Sequence, residues 1–406
     1  MISVNQAEKL ITKCKRDYGT ETVPLLKAMG RILREDIKAD RDYPPFDQVR
    51  MDGIAIKFTS WKKGNRRYKV EDVQAAGSKK LNLKNEDACL EVMTGANLPG
   101  NTDTVLPYEQ VEIIENNAQQ VAVIKTETCK KGQHIQQRRT YNQKGDLLQP
   151  KGVQISAAEI TIAASVGKSR LLVSKTPRIA IISTGDELVA IDEKPEQHQI
   201  RRSNMHMLQS LLHDISIDSD LYHFDDDFDT LYYKIASLLK QYDIIMSSGG
   251  VSRGKFDFLP DIFSKVGVTN IFHGVSQKPG KPFWFGDKKK GPVVFALPGN
   301  PVSSMLCYLR YVRPWLLQTF KSSNTAMLYG ELNNEIRFTA DKTCFKMVKI
   351  SISSRGTIIA EPLQNRGSGD FARLAGADGF IELPAHKNKF QPGEVFTVHL
   401  FRNSVI

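Results

Sequence analysis

Three stretches of this sequence decide the fold: RIAIISTGDEL at 178–188, DIIMSSGGVSRG at 243–254 and VVFALPGNPVSS at 293–304. Each joins an apolar run of strand length to a loop of glycine, proline and small polar residues. Buried parallel strands have such apolar runs, and open α/β sheets bind ligands outside the carboxyl ends of their strands. One such loop alone is typical of an ordinary turn. Three of them within one domain predict a ligand crevice at one edge of a parallel sheet.

Strand and helix patterns alternate between about residues 177 and 320, which predicts a parallel sheet covered by helices on both faces. The predicted elements are strands at 178–183, 217–223, 243–246 and 293–297, with helices at 203–213, 228–240 and from Pro301 onward.

The flanking regions have other patterns. Residues 3–35 predict two helices, the first with Ser3 as N-cap. Short β-type runs from 40 to 150 predict an inserted β domain, and helical character returns at 156–165. Beyond the polar segment 322–324, four strand-like runs predict a small β-barrel or sandwich.

Length and composition limit the function classes. A chain of 406 residues is long enough for two to four domains. The 56 Lys and Arg against 45 Asp and Glu give a net charge of +11, which favours anionic ligands. The basic residues are scattered and no aromatic–basic motif accompanies them, so we expect no nucleic-acid partner. Apolar runs stay short of a membrane span and the amino terminus lacks a signal-type core, so we expect a cytoplasmic protein without a membrane partner.

The cysteines and histidines indicate no metal site. The five cysteines lie far apart without a CxxC pair, which predicts reduced thiols. The eight histidines do not cluster, and we therefore expect no structural zinc.

Five carboxylates follow the predicted strands: Asp186, Glu187, Asp226, Asp227 and Asp257. Gathered at one end of the sheet beside an anionic ligand, they would hold a hard cation such as Mg²⁺ or provide a base. For the acidic run at 225–227, the first turn of a solvated helix is an equally good interpretation.

Cationic and turn residues complete the candidates. Lys278 and Lys281 flank a Pro–Gly turn, where a rigid backbone would help them hold an oxyanion. A simple surface turn is the alternative. Asp52 in RMDG and Thr94 in MTGA each stand beside a glycine, and as isolated fragments these are ordinary turns.

Taken in order, eight segments resemble the molybdopterin molybdenumtransferase (MoeA) family, to which the gephyrin E domain also belongs. They are FDQVRMDGIAI, VMTGANLPGNTDTVLPYE, RIAIISTGDELV, RRSNMHML, SSGGVSRGKFD, KPGKPFWFG, ALPGNPVSS and GSGDFARLAGADGFIELP. The resemblance covers nearly the whole chain. It implies a multidomain α/β plus β fold, with a central doubly wound, MoaB/Mog-like α/β domain, an inserted β domain, a small helical and extended N-terminal domain and a C-terminal β-barrel.

The resemblance also implies domain boundaries. The N-terminal domain would be discontinuous, comprising 1–42 and 148–175, and the inserted β domain would span 43–147. The molybdopterin-binding α/β domain would span 176–325 and the barrel 326–406.

The implied reaction is the insertion of molybdate into the dithiolene of adenylylated molybdopterin, with release of AMP and assistance by Mg²⁺. Members of the family are homodimers, in which the cleft lies between the α/β domain of one subunit and the β insert of the other. A Mog-type adenylyltransferase and recipient molybdoenzymes would be further partners.

Carried over by motif, site residues fall into three groups. Asp52, Thr94, Glu187, Asp226 and Asp257 would be catalytic, the first two from the partner subunit. Glu187 and Asp257 would also bind Mg²⁺. The substrate-binding residues would be Ser248, Gly249, Gly250, Ser252, Lys278, Lys281, Pro298, Pro301 and Ser368.

The chain departs from the family pattern at Arg139, Thr140 and Tyr141, which stand where a Gly-Glu-Asp segment is usual. This departure supports an alternative, a catalytically idle scaffold of the same fold. A Mog-type molybdopterin adenylyltransferase is a second alternative, but it would share only the α/β domain.

Overall fold

The computed structural model describes residues 1–116, 119–252, 257–323, 327–339, 341–364 and 367–402. The chain divides into two compact units. The first unit comprises Met1–Glu35, Lys151–Ile160 and Arg170–Ile406, and the second comprises Asp36–Pro150 and Thr161–Ser169. The second unit is thus inserted in the chain of the first. The finer division into four domains stays a prediction.

A six-stranded sheet forms the centre of the first unit, and we call it the wound sheet. In spatial order its strands are Ser219–Phe224, Ile179–Thr184, Ile244–Ser248, Val293–Leu297, Trp284–Asp287 and Thr269–His273. The first four strands are parallel, and the last two are antiparallel to their neighbours. The predicted parallel sheet is thus extended by two strands in antiparallel pairing, Trp284–Asp287 and Thr269–His273, which were not predicted from the sequence.

Helices cover both faces of the wound sheet, as predicted. They are Ser203–His213, Phe228–Gln241, Leu259–Lys265, Pro301–Cys307 and Arg313–Thr319, with a π-helical segment, Tyr308–Val312, between the last two. Alternate side chains of one central strand enter opposite cores. Ile181 packs in the same cluster as Leu208, whereas Ile182 packs in the same cluster as Ile235. Burial of these apolar faces holds the layers together.

The amino-terminal segment agrees with the sequence in its first part only. Helix Val4–Lys13 begins at Ser3, which forms a capping box with Gln6. The second predicted helix is wrong. Thr20–Pro24 is a strand paired with Arg170–Ser174, and a single 3₁₀ turn, Leu25–Ala28, follows it. Its threonines and valine favour the extended conformation, and the proline precludes a helical N–H bond.

The second unit contains a six-stranded sheet and short flanking pairs. The sheet order is Thr104–Pro107, Gly53–Ile56, Ala88–Val92, Arg67–Gln74, Gln119–Ile124 and Val111–Asn116. Two-stranded pairs join Gln48–Val49 to Ile135–Gln136 and Ile37–Lys38 to Leu147–Gln149. The remaining elements are helix Phe58–Lys62, the 3₁₀ turn Tyr108–Gln110 and helix Ala157–Ser165, which continues from the first unit. The predicted β insert is confirmed.

The C-terminal region is a closed five-stranded β-barrel, which confirms that prediction. Around the barrel the strands are Thr343–Ile352, Ile358–Pro362, Leu328–Leu332, Val395–Leu400 and Gly379–Leu383, and the last pairs back to the first. The minor elements are strands Gln277–Lys278, Leu188–Val189, Ile200–Arg201, Ile336–Arg337 and Lys389–Phe390, with the 3₁₀ turn Phe371–Gly376. Within the described ranges, no helix has the length and apolar character needed to cross a membrane.

Candidate functional site

A cavity of about 390 Å³ opens where the parallel strands of the wound sheet end. Its walls come from the loops after Ile179–Thr184, Ile244–Ser248 and Val293–Leu297, together with the start of helix Ser203–His213. The volume is in the range of small-molecule sites. Nine of the candidate residues line it: Glu187, Asp226, Ser248, Gly249, Gly250, Ser252, Asp257, Pro298 and Pro301. The cavity therefore lies at the edge of the sheet where the sequence predicts the ligand crevice.

Glycine is required in the loop after Ile244–Ser248. Gly250 has a φ of 69°, and a Cβ on it would lie 2.8 Å from both Leu259 Cδ1 and Thr184 Oγ1. Gly249 and Gly299 also approach closely, because a Cβ on Gly299 would lie 3.6 Å from the Cα of Gly249. A side chain at Gly250 would therefore clash with both neighbours, whereas a Cβ at Gly299 would make an ordinary contact.

The carboxylates of the cavity repel one another. Burial raises the pKa of Asp226, and the negative charges of Asp186 and Glu187 raise it further, with a smaller effect of Asp257. The backbone N–H of Asp226 donates a 2.9 Å hydrogen bond to Asp186 Oδ1. The next residue, Asp227, is instead the N-cap of helix Phe228–Gln241 and accepts a bond from the Thr230 N–H. The helix-start interpretation is thus right for Asp227, while Asp226 lines the cavity.

Asn204, which is not among the predicted site residues, links two of the cavity loops. Its Nδ2 donates to Ser248 Oγ at 2.8 Å and to the Gly299 carbonyl at 2.6 Å. Its Oδ1 is buried and has no hydrogen-bond partner among the described residues. The RRSNMHML motif contains this residue, so the signal was present in the sequence but its role was not predicted.

Two arginines, Arg201 and Arg202, also line the cavity, and neither was predicted as a site residue. Arg201 Nε donates to the Glu193 carbonyl at 3.1 Å. Arg202 is half-buried, and its charge acts together with burial to lower the pKa of His223. His223 Nδ1 in turn lies 2.9 Å from the Oγ of Ser183, which lines the cavity. Positive and negative groups therefore line the same cavity.

Lys278 and Lys281 are exposed and are not among the described residues that line the cavity. They lie in the segment that leads to Pro282, which does line it. Lys278 Nζ lies 5.8 Å from the centre of the Phe338 ring. The two lysines are therefore placed near the wall of the cavity, and the predicted contact with an anion stays a prediction.

Ser368 lies beside the LPGNP loop. Its Oγ accepts a 2.8 Å hydrogen bond from Nδ2 of Asn300, the residue between Gly299 and Pro301 of the cavity wall. The C-terminal candidate is therefore in contact with a loop of the cavity, although its predicted role in substrate binding stays a prediction.

Asp52 and Thr94 belong to the second unit and contact each other. The N–H of Thr94 donates a 2.6 Å hydrogen bond to Asp52 Oδ1, which lowers the pKa of that carboxyl. Asp52 is exposed. The two candidates thus lie in two turns joined by this hydrogen bond, which stabilises the negative charge of Asp52.

The segment that departs from the family pattern is also in the second unit. Arg139 Nε donates to Oδ2 of the buried Asp42 at 2.9 Å, and Arg138 Nε donates to the same oxygen at 2.8 Å. These bonds lower the pKa of Asp42, and the bond from Arg139 has the largest effect. Tyr141 is 67 % exposed. The two arginines therefore stabilise the loop, and Tyr141 leaves an aromatic ring on the surface.

No group of three or more His, Cys, Asp or Glu in the described ranges is placed to bind a metal ion by itself. The cysteines are free, and all but Cys129 are buried. A cation at the cavity would therefore need ligands beyond the protein carboxylates.

The chain is similar to known proteins over nearly its whole length. Residues 2–167 match the sequence model of the "MoeA N-terminal region (domain I and II)", 180–318 that of the "Probable molybdopterin binding domain" and 329–401 that of the "MoeA C-terminal region (domain IV)". The chain is 41 % identical over 400 residues to a protein of Synechocystis sp. named molybdopterin molybdenumtransferase, covering 98 % of this chain and 99 % of that one. A Staphylococcus aureus protein of the same name is 29 % identical over 412 residues, with 98 % and 95 % covered.

Solved structures agree. The crystal structure titled molybdopterin biosynthesis MoeA protein, from Pyrococcus horikosii, superposes with a TM-score of 0.82 at 26 % identity, covering 99 % of this chain and all of that one. Fold and cavity thus define a multidomain protein built around a molybdopterin-binding α/β domain. The chain belongs to the MoeA family, whose curated relatives are enzymes of molybdenum cofactor biosynthesis named molybdopterin molybdenumtransferase. The predicted family is confirmed.

Proposed function

We propose that this protein inserts molybdate into adenylylated molybdopterin and releases AMP. The observation that carries the proposal is the cavity at the carboxyl ends of the wound sheet, which combines carboxylates, arginines and glycine loops. A phosphoanhydride needs positive groups and backbone N–H donors around it, and the acidic groups suit a bound cation. The family membership supplies the identity of the substrates.

The anionic part of the substrate would bind between the arginines and the glycine loops. Arg202 precedes helix Ser203–His213, whose first residues line the cavity, and no side chain in the described part of the protein caps that helix. Its free N–H groups would therefore add to the charge of Arg202 in holding phosphate. The buried Asn204 Oδ1 would accept a hydrogen bond from an N–H or O–H of the ligand.

The carboxylates fit Mg²⁺. Glu187 and Asp257 would bind it, and Asp226 lies close enough to both for their charges to raise its pKa. Mg²⁺ prefers one or two carboxylates completed by phosphate oxygens and water, which agrees with a cavity whose described residues supply too few ligands for a closed site. When bound, it would neutralise the charge that develops on the phosphate as the anhydride is cleaved.

The reaction has a simple balance. Addition of water across the phosphoanhydride breaks one P–O bond and gives AMP and the molybdopterin phosphate. Exchange of two molybdate oxygens for the two dithiolene sulfurs breaks two Mo–O bonds and forms two Mo–S bonds. The oxygens leave as two water molecules, which take two protons from the thiols and two from solvent. Residues of the cavity would hold the anhydride. Asp226, whose pKa is raised by burial and by the charges of Asp186 and Glu187, would take up a proton more readily than an ordinary aspartate.

The test is turnover with purified protein. Adenylylated molybdopterin, molybdate and Mg²⁺ are expected to give AMP together with a product that activates a molybdenum-free apoenzyme. AMP release that needs neither molybdate nor a divalent cation would contradict the proposal. Formation of the adenylylated compound from ATP and molybdopterin would establish the Mog-type adenylyltransferase instead. Binding of the ligand without any turnover would establish the idle scaffold.

We also propose that the protein acts as a homodimer, with Asp52 and Thr94 contributing to the cavity of the partner subunit. The proposal is based on the resemblance to family members whose sites are shared between subunits in this way. In addition, every described residue that lines the cavity lies between Ser183 and Pro301, outside the inserted sequence. A Mog-type adenylyltransferase would supply the substrate and molybdoenzymes would receive the product, in the cytoplasm.

The shared site can be tested by complementation. Asp52→Ala and Glu187→Ala are each expected to be inactive, whereas an equal mixture refolded together should regain about a quarter of the parent activity, because each mixed dimer has one intact site. The preparation must first be shown to contain mixed dimers. If it is still as inactive as each variant alone, then Asp52 and Glu187 act in a site formed by one chain, or Asp52 lies outside any site.

A further inference from the structure

The segment that carries Lys278 and Lys281 is held from beneath by one buried side chain. Gln277 is 1 % exposed, while the lysines on either side of the Pro279–Gly280 turn are exposed. A glutamine amide can donate two hydrogen bonds and accept two, so a buried one must find partners or lose stability.

The partners of Gln277 are the turn itself. Its Nε2 donates to the carbonyl oxygens of Pro279 at 3.2 Å and Gly280 at 3.3 Å. Its Oε1 accepts a 2.5 Å hydrogen bond from the hydroxyl of Tyr311, which lies in the π-helical segment Tyr308–Val312. The tyrosine therefore fixes the orientation of the amide, and the amide fixes the carbonyls of the turn.

Close packing leaves the turn little freedom beneath the lysines. Gly280 has a φ of 87°, and a Cβ on it would lie 2.7 Å from Gln277 Nε2 and 2.9 Å from Cys307 Sγ. The ends of the segment are held as well: Gln277 pairs with Thr343 of the barrel, and the Val275 N–H bonds to the Lys281 carbonyl at 3.0 Å. The position of each lysine Cα is thus set, although both lysines are exposed.

We propose that Gln277 is a positioning residue that holds the turn so that Lys278 and Lys281 bind a tetrahedral oxyanion, either molybdate or a phosphate group of the substrate. The inference rests on the proposed function, in which these lysines hold an anion. Each lysine loses side-chain freedom when it binds, and a turn that also had to be ordered would add to that cost. Loss of the Gln277 bonds should therefore weaken binding more than turnover.

The variant Gln277→Glu gives a pH-dependent test. The carboxyl is nearly the same size as the amide, and burial should raise its pKa. When it is charged, it repels the carbonyls of Pro279 and Gly280, and when it is protonated, its O–H can donate to one of them. Among the described residues, the titratable groups that its side chain contacts are Tyr311 and Cys307, and burial raises the pKa of both, so they stay neutral in the range of interest. The charged groups nearby are Lys278, the next residue in the chain, and Arg310, which lies 5.5 Å from the centre of the Tyr311 ring.

For Gln277→Glu, we expect the KM for the bound oxyanion to rise about tenfold at about pH 8.5 and only about twofold at about pH 6, with kcat nearly constant. The KM values for molybdate and for adenylylated molybdopterin are measured separately, and the one that rises identifies the oxyanion. Gln277→Met should raise that KM equally at both pH values. Tyr311→Phe should cause a smaller rise, which provides a test if the first variant folds poorly.

The matched control is Gln209→Glu. Gln209 Nε2 also donates to a carbonyl, that of Ser219 at 2.9 Å, but it lies away from the turn. It should leave KM unchanged at both pH values. A pH-independent effect of Gln277→Glu equal to that of Gln277→Met would overturn the proposal, and so would a fall in kcat with unchanged KM.

Amide hydrogen exchange over residues 277–283, without substrate, separates this inference from the proposed function. We expect Gln277→Glu to exchange faster than the parent at about pH 8.5 and like the parent at about pH 6. Parent-like exchange at both pH values would overturn the inference, whatever the parent's activity. If the parent releases no AMP but the exchange is as expected, the proposed function is refuted while the role of Gln277 in holding the turn stands. Direct binding of molybdate and of phosphate would then decide whether the lysines bind an oxyanion.

Discussion

The two units have opposite effects on the negative charge of a carboxylate: the first destabilises that of Asp226, and the second stabilises that of Asp52. Asp226, in the cavity of the first unit, has a pKa raised by burial and by the neighbouring Asp186 and Glu187. Asp52, in the second unit, has a pKa lowered by the hydrogen bond from the Thr94 N–H. Both residues follow short turn motifs, so composition does not distinguish them. The cavity is arranged to take up positive charge, whereas the Asp52 turn is already satisfied.

The largest expected effect is on the rate of AMP release, and it tests the contrast between the two units. Glu187→Gln should slow AMP release at least about a hundredfold, because it removes a charge from the proposed cation site. Glu112→Gln is the control in the second unit, since Glu112 forms an exposed ion pair with Lys125. Rates are measured by chromatography of AMP at saturating substrate. Equal rates for Glu187→Gln and the parent would remove the proposed role of the cavity carboxylates.

A smaller effect concerns the backbone. Gly250→Ala should destabilise the first unit by about 3 kcal/mol, since the left-handed φ is combined with contacts of 2.8 Å to Leu259 and Thr184. Gly132→Ala, in the second unit, should cost only about 1 kcal/mol, because Gly132 has a φ of 81° but a Cβ on it would meet no described atom within 4 Å beyond its chain neighbours. Urea unfolding followed by peptide-resolved hydrogen exchange reports each unit separately. Similar costs would show that the cavity loops yield as easily as an open turn.

The smallest expected effect is a change of stability with opposite sign in the two units. A raised pKa means that the folded state binds the proton more tightly, so Asp226 lowers stability as pH rises through its folded pKa. Asp226→Asn should therefore raise the melting temperature at neutral pH and have little effect in acid. For Asp52 the shift is downward, so its contribution is present above the unfolded pKa and is lost as pH falls.

Asp52→Asn should accordingly lower the melting temperature at neutral pH and not at acid pH. Melting curves of both variants and the parent, recorded across the acid to neutral range, measure the two effects together. Changes of the same sign would mean that the environments of the two carboxylates do not differ as their hydrogen bonds indicate.

The sequence predicted elements best where the local pattern was strong. Helix Ser203–His213 and strand Val293–Leu297 have the predicted bounds, and Ser3 caps the first helix. The helix predicted over residues 23–33 is only the 3₁₀ turn Leu25–Ala28, because Val23 pairs with Leu171 and Leu33 with Val173, far away in the chain, and this pairing overrides a weak local preference. The missed strand Trp284–Asp287 is also defined by its neighbours rather than by its own pattern.

The site, too, was predicted only where the signal is local in the sequence. Glu187, Asp226 and Asp257 follow strand ends, so their convergence follows from a parallel sheet. Asn204 and Gln277 act through hydrogen bonds to the carbonyls of Gly299 and Gly280, and no spacing rule brings these groups together. Their roles depend on how loops pack after the sheet has formed.

The amino-acid sequence by itself determined the family, the order of elements and the edge of the wound sheet at which the cavity opens, because apolar period and turn residues are local properties. Tertiary structure alone decided the direction in which the pKa of Asp226 and of Asp52 is shifted, and the orientation of the Gln277 amide, because desolvation and hydrogen bonding depend on groups that are distant in the chain. A carboxyl raised in pKa and one lowered in pKa look alike in the sequence, and only their neighbours in space distinguish them.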